Sequence, residues 1–208
     1  VNVLCIGLIE GIAMAAVGIY LFFWTPILKL STSGGINIGV IFLCMVLAIT
    51  IGVKLYEVLI IYYNFGHYMS LTGCLFIQGL LLLFTYFHDN FLARLLYLSL
   101  FNGLVGFYNP LNSIVKSNIL VEEYRASLMN LFRIPLNIYV IIVLVALRYM
   151  NNPFTIVLIA GCLVFISSII GAFLCFYSAK QPEKLVDNRI NILENETLAK
   201  KGIIDEPL

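Results

Sequence analysis

Again and again along this chain, about twenty residues pass with almost no charge, and that recurrence limits the fold more than any motif does. The hydrocarbon core of a bilayer is about 30 Å thick and takes roughly 20 mostly apolar residues of helix to cross. By that rule the candidate spans are 3–23, 36–58, 68–87, 94–115, 126–147 and 153–178. Their apolarity is continuous and does not alternate with period two, so helices are expected and barrel strands are not. Composition agrees: 62% of the 208 residues are hydrophobic and 11% charged, against about half and a quarter in soluble domains. The expectation is an all-α membrane protein, a six-helix transmembrane bundle over 1–178 with a polar tail over 179–208.

The gaps between spans, PILKLSTSGG, YYNFGH, HDNF, KSNILVEEYR and RYMNN, hold the turn residues and most of the charges. Lys and Arg favour the cytoplasmic side. Lys29, Arg94 and Arg148 follow the odd spans, while Lys54, Lys116 and Arg125 follow the even ones; Lys180, Lys184, Arg189, Lys200 and Lys201 in the tail tip the balance to the even side. Both ends of the segment are therefore expected in the cytoplasm, where the sequon at Asn195 would not be used. Val1 opens an apolar run with no basic leader or A-x-A cleavage site, so a piece of a longer protein is expected. Two blocks of three spans, dividing near His88, have the proportions of a transporter half built from repeats.

Several function classes drop out. A net charge of +1 with no Lys/Arg-rich run gives no footprint for nucleic acid. Cys5, Cys44, Cys74, Cys162 and Cys175 lie singly in apolar runs and are expected as small buried hydrophobes. No GxSxG, HExxH or P-loop occurs, and His67 and His88 sit at span ends; neither an enzyme nor a bound metal or cofactor is expected.

What remains are polar groups at membrane depth, each costing about 2.5–3.5 kcal/mol at mid-helix unless it finds a partner or water. Glu10 is about seven residues into the first span, roughly 10 Å deep. It reads either as a proton carrier or ion-pair partner, or as a neutral hydrogen-bonded packing residue. Arg133 either snorkels to the headgroups or joins Asn130 and Asn137, which share its helical face, in a donor-rich strip suited to an oxyanion. Pro135 removes a helical hydrogen bond within that strip. On the fourth span Asn102 and Asn109 fall on nearly one face, and Pro110 beside Gly106 is expected to break the helix there. Gln78 reads as helix glue. Gly7, Gly11 and Ala15 make a flat strip for close helix packing.

The run Arg125-Ala126-x-x-Met129-Asn130-x-Phe132-Arg133-Ile134-Pro135-Leu136-Asn137, preceded by Asn109-Pro110 and Glu122-Glu123-Tyr124, resembles the molybdate-anion transporter family of the major facilitator superfamily. Glu10-Gly11 and Phe23-Trp24-Thr25-Pro26 resemble the same family in its seventh helix. The resemblance implies that residues 1–178 are the C-terminal six helices of a twelve-helix secondary transporter. Its partners would be the lipid bilayer, a small or inorganic anion such as molybdate, and the missing N-terminal six helices. Arg133, Asn137, Asn130, Glu10, Asn102 and Asn109 are the substrate-binding candidates. The competing reading is a transporter-like receptor, sensor or assembly subunit in which the same groups only hold helices together.

Overall fold

The computed structural model describes residues 2–32, 34–35, 37–63, 65–120, 125–147 and 153–179. Its elements are α1 (Asn2–Leu30), α2 (Ile38–Tyr56) with a π-helical continuation (Glu57–Tyr62), α3 (His67–Phe87), α4 (Phe91–Ile119), α5 (Arg125–Leu147) and α6 (Pro153–Ala179). Among the described residues there is no strand. Five helical stretches of the described residues are long and apolar enough to cross a membrane: Val3–Leu30, Ile38–Tyr62, His67–Phe87, Phe91–Ile119 and Phe154–Tyr177. The chain divides into two compact units, Val1–Leu174 and Cys175–Leu208. Of the second, only the end of α6 is described, so the tail lies outside the described residues.

Helix starts follow local chemistry. Asn37 precedes α2 and its side chain accepts from the Val40 amide at 3.3 Å; Asn90 precedes α4 and accepts from the Leu92 amide at 3.0 Å. Each satisfies an amide that the first turn leaves without a partner. Three prolines prove compatible with helix: α1 runs through Pro26 to Leu30, α5 runs through Pro135, and α4 runs through Pro110, where the sequence suggests a break. A proline deprives one carbonyl of its partner, and a helix held on several sides absorbs that loss without unwinding.

Helix α4 is central and packs against α2, α3 and α1, while α1 also packs against α5. Without a hydrophobic force between helices in lipid, contact depends on how closely backbones can approach. The α2–α4 crossing rests on Gly52, Gly103 and Gly106. A Cβ on Gly52 would collide with the Gly103 carbonyl, and one on Gly106 with the Ile49 carbonyl. Gly7 of α1 faces the Phe132 ring of α5, which bears out the close-packing reading of the small-residue strip at that position. Helix α6 meets α3 where Phe165 covers Gly79, and reaches α1 through Ser167, whose hydroxyl donates to the Ile9 carbonyl at 3.3 Å.

Candidate functional site

Helices α1 and α4 are joined by polar contacts at successive levels. At one end Arg94, 3% exposed, donates to the Thr85 carbonyl at 3.2 Å, the Ser31 hydroxyl at 2.6 Å and the Asp89 carboxylate at 2.6 Å. Its guanidinium also lies 4.1 Å from the centre of the Phe154 ring. This one side chain thus ties together the ends of α1 and α3 and the start of α6. Midway, the Asn102 amide donates to the Tyr20 hydroxyl and to the Leu98 carbonyl at 2.9 Å, and the Tyr20 hydroxyl donates to the Met45 sulfur at 3.0 Å. Toward the other end, the Lys116 ammonium donates to Glu10 Oε1 at 2.8 Å. Residue numbers fall on α1 as they rise on α4, as two antiparallel helices require.

The third contact differs from the first in being incomplete. Arg94 has a partner for each of its donor nitrogens. By contrast, among the described residues the buried Glu10 Oε2 and, on α4, the Tyr108 hydroxyl and the Asn112 Oδ1 have no hydrogen-bond partner. Buried polar atoms are ordinarily paired, so such a group calls for a ligand, a water or a second arrangement. Tyr108 and Asn112 lie one helical turn apart and lead to Lys116 after another. The Tyr108 hydroxyl is within electrostatic reach of Glu10 and of the Cys74 thiol.

Glu10 also borders a half-open hollow of about 380 Å³, lined on α1 by Gly11, Met14, Val17, Gly18 and Leu21 and on α5 by Phe132. A second hollow of about 360 Å³, on the other side of Phe132, is lined only by apolar residues and glycine and offers an anion nothing. Of these two, the first is the one with chemistry. A charge pair at its edge can bind an ion, exchange a partner or move a proton; no group of His, Cys, Asp and Glu among the described residues could hold a metal.

The expected site residues do not all meet. Glu10 is found in the ion-pair role, with Lys116 as its partner. Asn102 is buried and engaged by Tyr20, whereas Asn109, seven residues on, is exposed: the two share a face but not an environment, because α1 covers one and not the other. Asn130 and Asn137 are exposed on α5. The Arg133 and Pro135 side chains lie outside the described residues; the α5 backbone is helical through both positions. Gln78 is 2% exposed, yet among the described residues its Nε2 has no partner.

Two cations that the orientation count assigned to the ends of spans belong to the helix core instead. Lys116 is 6% exposed and Arg94 3%, because α4 extends past its apolar stretch at both ends and carries them into contact with α1. The signal was present: Arg94, Asn102, Asn109 and Lys116 recur at intervals of seven or eight, the spacing of one helical stripe. Cys44 and Cys162 are also exposed, against the expectation that every cysteine is buried, since a helix facing lipid has no need to turn its apolar residues inward.

Over 160 residues, 71% of this chain and 31% of the relative, the sequence is 28% identical to a molybdate-anion transporter from Takifugu rubripes. The chain thus spans less than a third of that relative's length. No protein-family model matches the chain, and no solved structure matches it.

Proposed function

We infer that this chain is part of a secondary transporter for a small anion, molybdate or a related oxyanion, that works by alternating access. The observation that carries the reading is the Glu10–Lys116 pair, which sits among apolar spans beside a hollow and leaves one carboxylate oxygen without a partner. Ionisable residues at such depth are costly and belong to ion or substrate pathways by default. The likeness to a protein named for molybdate transport supports the same reading and suggests the cargo. In this proposal α5 is a sixth crossing and both ends of the six-helix segment face the cytoplasm. The segment forms the C-terminal half of a twelve-helix protein of the major facilitator type, and the other half supplies the opposite wall.

Arg133 with Asn130 and Asn137, and Asn109 on α4, are proposed to meet the anion on its way through. The exposed amides offer donors, and a guanidinium offers a planar fork matched to two oxygens of an oxyanion. The test is uptake of molybdate into proteoliposomes containing the complete protein. Arg133→Lys keeps the charge and loses the fork, so uptake should fall by about tenfold or more, equivalent to roughly 1.4 kcal/mol, while the amount of folded protein stays level. Undiminished uptake in that variant removes Arg133 from the pathway. If the wild-type protein accumulates neither molybdate nor sulfate, a receptor or assembly role takes the place of transport.

A further inference from the structure

We propose that Glu10 is an internal stand-in for the transported anion. An oxyanion entering from the hollow takes its place on Lys116, and the released carboxylate accepts a hydrogen bond from the Tyr108 hydroxyl. This deepens the transport reading and rests on it, naming Lys116 as the group that holds the anion and Tyr108 as the group that holds the displaced carboxylate.

The pairing pattern supports it. A lysine ammonium has three donors, and the described contact of Lys116 is with a single carboxylate oxygen, Oε1. Tyr108 is 1% exposed, and among the described residues its hydroxyl has no acceptor, although it lies within electrostatic reach of Glu10, whose Oε2 has no donor there either. A buried donor and a buried acceptor that are each left unpaired cost stability in the resting arrangement. They become complementary once Glu10 turns from Lys116 to Tyr108. The Glu10 side chain is the less enclosed member of the ion pair, 19% exposed against 8% for Lys116, and it borders the hollow.

Other groups nearby do not substitute for these. From α3, Cys74 donates to the Leu104 carbonyl at 3.5 Å. From α6, Ser167 is spent on Ile9. From α5, the described lining side chain is the Phe132 ring. Asn112, between Tyr108 and Lys116 on the helix, has an unpaired oxygen and, through its amide nitrogen, a donor of its own, so Asn112→Leu belongs beside Tyr108→Phe as the control for which group receives the carboxylate.

The experiment measures molybdate binding by the complete protein in lipid nanodiscs, with uptake by the wild type in proteoliposomes alongside. Removing the internal competitor with Glu10→Gln should tighten binding about tenfold. Lys116→Met added to E10Q, which leaves no lone buried charge and so keeps the fold, should abolish that gain and weaken binding beyond the wild type. Tyr108→Phe should weaken binding severalfold in the wild-type background and leave it unchanged in the E10Q background, since the hydroxyl matters only when there is a carboxylate to receive. A purely structural tyrosine would show the same change in both backgrounds. Wild-type uptake together with an unmoved or weaker E10Q affinity overturns the stand-in role alone; a wild type that neither takes up nor binds molybdate overturns the transport reading with it.

Discussion

Arg94 and Asp89 are ion-pair partners of very unequal standing. The pair measures 2.6 Å, but the Asp89 side chain is 97% exposed and that of Arg94 only 4%. An exposed carboxylate is screened by water, and such pairs contribute at most about 1 kcal/mol. The hold of Arg94 comes instead from the Thr85 carbonyl, the Ser31 hydroxyl and the Phe154 ring. Asp89→Asn should therefore cost under about 1 kcal/mol. Arg94→Leu leaves a carbonyl and a hydroxyl without their charged donor and should cost about 3 kcal/mol or more. Thermal unfolding of the purified protein in detergent distinguishes the two, and equal losses would mean that the ion pair dominates. The same residues mark where charge counting misleads. A cation near the end of an apolar run is placed outside it by composition, and only the partners brought by other helices reveal that it is inside. Glu10 was legible as costly from its depth alone, but its partner lies 106 residues away in sequence, beyond any local pattern.

At the scale of helices, α4 owes its central place to having two kinds of face. Its glycines let α2 approach backbone to backbone, and its Asn102 and Lys116 meet α1. The crossing at Gly52 and Gly106 has no space for a methyl group, whereas Gly73 on α3 has nothing within 4 Å of the position a Cβ would take. Gly52→Ala and Gly106→Ala should each destabilise by about 1–3 kcal/mol, as overpacking does. Gly73→Ala should be neutral or stabilise by about 0.5–1 kcal/mol, since it replaces a flexible residue in mid-helix. Thermal unfolding of the three variants checks this; a stabilised Gly52→Ala would mean that the two helices can part without cost. The helix spans were readable because about twenty apolar residues in a row have few other uses. Which helix sits in the middle was not, because apolarity says that a face avoids water without saying whether lipid or protein covers it. Pro110 shows the limit from the other side: its effect on local hydrogen bonding is certain, but whether the helix breaks depends on neighbours that the sequence does not place.

For the molecule as a whole, much of the apolar surface points outward. On α2 alone, Phe42, Leu43, Leu47 and Ile51 are each more than half exposed, a surface suited to acyl chains or to other apolar helices. Cys44 and Cys162 are exposed in the first halves of the spans Ile38–Tyr62 and Phe154–Tyr177, about two helical turns from their starts. In proteoliposomes both should resist a water-soluble maleimide and react after denaturation, while a cysteine introduced by Asn90→Cys at the exposed start of α4 should react at once when the reagent has access to its side. Labelling of Cys44 in the intact bilayer would place that part of α2 in water. Membrane class was evident from the sequence, and the polar tail after Ala179 lies outside the described residues. The long-range pairing across α1 and α4 also sets an order of events in synthesis. Glu10 is made 106 residues before Lys116, on the order of 5–20 s at ordinary rates of translation. During that interval the first helix carries a carboxyl group that has not yet met its lysine, so α1 reaches its final resting place only once the fourth helix has emerged to receive it.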